Sequence, residues 1–157
     1  MTPAHRALIE QIRSSGAALA RAVAAVPPAK AGQPPRAGEW SVRETLTHVR
    51  NVVLMVQGLR IRRLLYEVDP VFADYDEDTA RREDLAKAEP IADLAQMTVT
   101  EHEQVARLLS TLPDDRWQRQ GRHPELGPMS IELLARRMGE HTEEHARQIV
   151  DTARGLA

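Results

Sequence analysis

The chain has 157 residues, 21 Lys and Arg against 23 Asp and Glu for a net charge of −2, and no cysteine. That length supports one sizeable core, so a single domain over residues 1–157 is expected, and the near-balance of charge leaves no electrostatic footprint for nucleic acid. The missing thiols exclude disulfides, thiolate zinc sites, iron–sulfur clusters and a cysteine nucleophile, so any metal must be held by His, Asp or Glu.

The N-terminal stretch MTPAHRALIEQIRSSG has no continuous apolar run, and the longest large-apolar run, Val52 to Val56, is far below a membrane span. A soluble, cytoplasmic protein is expected. With aromatics at 3% and abundant Ala, Leu, Arg and Glu, the composition suits an all-α domain. A first helix begins after Thr2 with Pro3 at its first position, carries Leu8, Ile12, Leu19, Val23 and Val26, and stops at Pro27-Pro28. Ser41 with Glu44 three residues later forms a capping-box signature, so the second helix starts at Val42 and runs to about Glu67. Val42, Leu46, Val49, Val53 and Val56 form one apolar stripe, and Val52, Met55 and Leu59 form another beside it. Residues 69–89 are acidic and poorly periodic and read as a long crossover connection. Their Asp74-x-Asp76-x-Asp78 fails as an EF-hand because Thr79 and Leu85 stand where Gly and Glu are needed. Pro90 opens a third helix to about Leu112, with Ile91, Leu94, Thr98, Val105, Leu109 and Leu112 inward. After a second loop, Ser130 caps a fourth helix from Ile131 to about Arg154. Four long amphipathic segments joined by short and long connections describe a four-helix bundle with long crossover loops.

The last helix contains GEHTEEHARQIV, in which His141 and His145 are four apart and share the inner seam with Ile131, Leu134 and Met138. That spacing lets two imidazoles reach one ion. The motif also fits the H-x-x-E-H of inverted zinc peptidases, but Glu144 is turned roughly 100° from His145 and the further acidic ligand has no room downstream. The third ligand must lie upstream. His48 is the best candidate, because it shares the stripe of Val52, Met55 and Leu59. His102 reads as a core histidine, and His5 and His123 as solvent-exposed. Glu44 is read first as the capping residue, with orientation of His48 as its functional option. Gln148, about 20° from His141 on the same face, and Glu144 are further candidates to touch a bound ligand.

GEWSVRETLTHV (Gly38 to Val49) together with GPMSIELLARRMGEHTEEHARQI (Gly127 to Ile149) resembles the DinB-like superfamily, the DinB/YfiT group of metal-binding four-helix bundles. The specific part is W-S-x-x-E-x-L-x-H combined with the late H-x-x-x-H. The resemblance implies a metal triad of His48, His141 and His145 binding zinc, nickel or a similar divalent ion, in an intracellular protein that is often a homodimer. It also implies company with transferases and isomerases that use a low-molecular-weight thiol. Three neutral ligands leave a coordination position open for chemistry. The expected function is therefore transfer of an exogenous low-molecular-weight thiol to a small electrophile. A hydrolase using metal-activated water ranks second, with Glu44, Glu144 or Gln148 positioning it, and a non-catalytic metal-binding stress-related dimer ranks third.

Overall fold

The computed structural model describes residues 1–156; Ala157 of the expected domain lies outside the described residues. Six α-helices appear in the order α1 (Pro3–Ala24), α2 (Val42–Asn51), α3 (Leu59–Tyr66), α4 (Glu77–Leu85), α5 (Ile91–Ser110) and α6 (Ile131–Gly155). A π-helical segment, Val52–Gly58, joins α2 to α3 without a break, so α1, the α2–α3 rod, α5 and α6 make the four long rods of the expected all-α bundle. α1 packs on α5 and α6, and α2 packs on the same two helices from the other side. Ile12, Leu19, Leu46, Val49, Val105, Leu109, Ile131, Met138 and Ile149 meet between them fully buried. Among the described residues, no helix is long and apolar enough to cross a membrane.

The helix starts follow their local chemistry. Thr2 caps α1 by accepting from the His5 N–H at 3.1 Å, with Pro3 at the first position. Ser41 caps α2 in a complete capping box: its hydroxyl accepts from the Glu44 N–H at 3.2 Å, while Glu44 Oε2 accepts from the Ser41 N–H at 2.9 Å. Ser130 caps α6 by accepting from Leu133 at 3.0 Å. Each cap satisfies a backbone donor that the first turn cannot pair internally.

The π segment corrects the inner stripe of the second rod. Its wider turn moves the buried position from the expected Val56, which is only half-buried, to Gln57, and leaves Met55 and Leu59 of the second stripe exposed. Gly58 sits in this segment because the Glu101 carboxylate, held by Arg62 with Nη2 to Oε2 at 3.0 Å, occupies the place a Cβ would take.

Both long connections contain structure that periodicity misses. The crossover 69–89 contains α4, a helix with no buried residue. Asp76 caps it by accepting from the Thr79 N–H at 3.0 Å. The loop before α6 contains an antiparallel hairpin, β1 (Gln120–His123) with β2 (Gly127–Ser130). The crossover joins that hairpin where the Phe72 N–H donates to Arg122 O at 2.8 Å, and Phe72 packs against Gly121, where no side chain could fit.

The expected exposure of His5 and His123 is also corrected, since both are buried. His5 stacks parallel on the fully buried Trp117 ring with centroids 4.1 Å apart, and its Nδ1 donates to Asp114 at 2.7 Å. His123 Nδ1 accepts from the N–H groups of Glu125 and Leu126, which leaves Nε2 to donate to Asp74 at 3.0 Å. The partners that cover both rings come from distant loops, so helical spacing gives no sign of them.

Candidate metal centre

His48 lies near the end of α2, and His141 and His145 lie one turn apart on α6. The packing of α2 on α6 brings the three rings together. His48 Nε2 stands 2.9 Å from His141 Nε2 and 3.1 Å from His145 Nε2, and the three candidate ligand atoms all lie within 4.8 Å of one another. The rings meet at steep angles, with centroid separations of 4.9, 4.7 and 4.5 Å, so their nitrogens converge on one point and the rings do not stack. On α6 the most buried seam runs through Met138, Thr142, Ala146 and Ile149, which places His141 and His145 half-buried on its flank and not at its centre as the spacing suggests.

Neighbouring groups set the proton positions. Gln148 Oε1 lies 2.7 Å from His145 Nδ1, and because an amide oxygen only accepts, Nδ1 carries the hydrogen and Nε2 keeps its lone pair. On His48 the Glu77 carboxylate lies against Nδ1, which favours the same tautomer. Two nitrogen lone pairs then face each other across 3.1 Å with no proton assigned between them. A cation placed there relieves the repulsion, and the donor set of neutral imidazole nitrogens suits a divalent transition metal. His141 is held neutral as well: burial first, then the nearby His145 and His48, push its pKa down to about 3. Burial also lowers the pKa of His48, with Glu77 acting in the opposite direction. Burial thus favours His48 and His141 in the neutral form that metal binding requires.

The other candidates separate. Gln148 touches His145, whereas Glu44 is committed to the Ser41 cap and, through Oε1, to Arg81 at 3.5 Å. Glu144 is exposed beside the centre. His102 is the core residue expected: its Nδ1 donates to Thr98 O at 2.7 Å and its Nε2 accepts from the Thr142 hydroxyl at 3.0 Å. Sequence reasoning misses Glu77 and Arg81, and gives Trp40 only as part of the W-S-x-x-E-x-L-x-H motif and not as a neighbour of the site. The Trp40 and His48 rings meet edge-to-face with centroids 5.3 Å apart, and the Arg81 guanidinium lies over the Trp40 ring, 4.5 Å from its centroid. The Asp76 cap followed by acidic Glu77 and Asp78 is the sequence signal that could have revealed the helix carrying two of the three.

A groove of about 930 Å³ opens onto His145, lined among others by Arg36, Trp40, Glu144, Arg147 and Gln148. Its size falls in the range of small-molecule sites, and it combines an aromatic wall with charged groups at one end of the histidine cluster.

None of the curated proteins matches the chain. Among solved structures, the chain is similar to YfiT from Bacillus subtilis, described as a probable metal-dependent hydrolase with an unusual four-helix bundle topology: TM-score 0.87, 22% identity, 99% of this chain and 90% of that one. It is also similar to a mycothiol-dependent maleylpyruvate isomerase, with TM-score 0.71 and 15% identity over 95% of this chain and 63% of that longer one. At these identities both likenesses concern the fold. The model of the DinB superfamily matches residues 11–149, most of the length that carries the four rods and all three histidines, and the chain belongs to that superfamily.

Proposed function

We propose that the protein is a divalent-metal-dependent transferase that conjugates a low-molecular-weight thiol to a small electrophile. The observation that carries this reading is the convergence of three imidazole Nε2 atoms beside a solvent-open groove that His145 lines. A bound divalent ion, zinc or nickel by its imidazole donors, would supply Lewis acidity, which deprotonates a thiol or lowers the pKa of a water to about 7. The protein supplies the rest. His48, His141 and His145 fix the position of the reacting centre, Gln148 holds the His145 ring, and Trp40 provides an apolar wall that excludes water from one side. Arg36 and Arg147 offer guanidinium groups to anionic ends of the reactants.

The nearby carboxylates favour thiol over water as nucleophile. Glu44 is used in the cap and Glu77 lies behind His48, and the carboxylates that line the groove, Glu39, Glu144 and Asp151, are all solvent-exposed. A thiol, with an ordinary pKa near 8.5, needs the least help. Its S–H proton passes to solvent, the sulfur pair forms the bond to the electrophilic carbon, and the leaving group departs with its own bonding pair. No covalent link to the chain is needed, and with no cysteine present the sulfur arrives with the co-substrate.

Metal-loaded protein should consume thiol and electrophile together and release a conjugate of the summed mass less the leaving group. Glu144→Gln should leave that rate unchanged. Mass spectrometry of reactions with and without thiol, and with chelator, checks this. Hydrolysis that proceeds equally without thiol would overturn the transferase reading in favour of a metal-dependent hydrolase, the reading favoured by the near-complete fold match to YfiT. The exposed Met55 and Leu59 on the second rod support a homodimer, which we propose acts in the cytoplasm as a single-domain protein without a nucleic-acid partner.

A further inference from the structure

α4 is an unusual helix to find against the bundle: none of its nine residues is buried, and an isolated helix of that length is marginal in water. Its ion pairs to α2 converge on the surroundings of His48. Asp84 and Arg50 of α2 pair at 3.1 Å with both side chains only 15% exposed, and Arg50 also reaches Glu89 at 3.3 Å. Arg81 is equally covered, lying between the Trp40 ring and Glu44. These ties fix the register of α4 on α2, and the first residue of the helix, Glu77, then falls on His48 Nδ1. Glu44, the residue one turn before His48 that spacing offers for the same role, is spent on the Ser41 cap.

We propose that Glu77 is the positioning residue of the histidine centre. Its carboxylate lies against His48 Nδ1, favours the proton on that nitrogen, keeps the Nε2 lone pair aimed at His141 and His145, and makes Nε2 a stronger donor. The charged ties Arg50–Asp84 and Arg81–Glu44 hold the carboxylate in place, so a segment with no core of its own sets the geometry of the site. This inference rests on the reading of the three histidines as an ion site.

The test uses the full chain and its variants Glu77→Ala, Glu77→Gln and Asp78→Ala, the last removing a carboxylate from the same turn. Cobalt(II) titration followed by visible absorption measures affinity, and long-range ¹H–¹⁵N NMR of the ion-free protein reads the His48 tautomer. Glu77→Ala should weaken cobalt binding by roughly 10–100-fold and populate the Nε2–H form of His48. Glu77→Gln, whose amide oxygen still accepts, should recover most of the affinity, and Asp78→Ala should match the unsubstituted protein. Cobalt affinity of Glu77→Ala within about twofold of the unsubstituted protein overturns the role of Glu77 while leaving the ion site standing. Equal losses in all three variants with reduced helicity also overturn it, by showing that α4 is merely structural. No cobalt uptake by the unsubstituted chain removes the ion site and the inference together.

Discussion

His141→Ala should lose divalent-ion binding almost completely, a larger effect than the roughly 10–100-fold expected from removing an outer partner of a ligand. The reason is geometric: the Nε2 atoms of His48 and His141 lie 2.9 Å apart, and removing one leaves two imidazoles that cannot enclose an ion from three sides. Helicity should survive, because His141 lies on the flank of the buried seam and Met138, Thr142 and Ile149 carry the packing. Thermal unfolding separates the two effects. An ion at 100 times its Kd stabilises the folded protein by about 2.7 kcal/mol, and this gain should vanish in His141→Ala while persisting in His5→Ala and His123→Ala, whose rings are held elsewhere. Calorimetric titration of the same proteins reads the affinity directly. Equal retention of the ion in all three variants would remove the proposed triad.

Trp117→Ala should be the most damaging change away from the site. The indole is fully buried, is stacked on His5, and lies where the N-terminal turn of α1 meets the connection to α6 through the Glu132 N–H bond to Trp117 O at 3.1 Å. Truncating a buried aromatic to alanine costs about 3–5 kcal/mol. At roughly 2–4 °C per kcal/mol for a chain of this size, the melting temperature should fall by about 6–20 °C. Trp117→Phe should lose much less, since it retains a ring against His5 and removes an indole N–H that has no partner. Denaturant unfolding checks both variants. A Trp117→Ala midpoint equal to that of the unsubstituted protein would show that the stack contributes nothing.

Trp117 also marks where sequence reasoning stops. The four rods were legible because each has an apolar stripe at helical spacing and a cap or proline at its start, so local chemistry and packing agree. The convergence of His48 with His141 and His145 was legible from their positions on two amphipathic helices, although Met55 and Leu59 of the stripe assigned to His48 are exposed and the α6 pair lies on the flank of the seam. What escaped has its partners far along the chain. α4 shows no apolar period because ion pairs to α2 hold it, and His5, His123 and Phe72 are buried by contacts that form only when the connections fold back. The π segment, where Glu101 packs against Gly58, leaves no periodic trace. Glu77 was missed with its helix, and the conspicuous Glu44 proved to be the capping residue.

The proposed function requires a single divalent ion among the three Nε2 atoms. Anomalous X-ray scattering from crystals of metal-loaded protein tests it most directly. One peak per chain is expected, about 2.0–2.1 Å from Nε2 of His48, His141 and His145 alike. A peak bound elsewhere, or none at saturating metal, would contradict it.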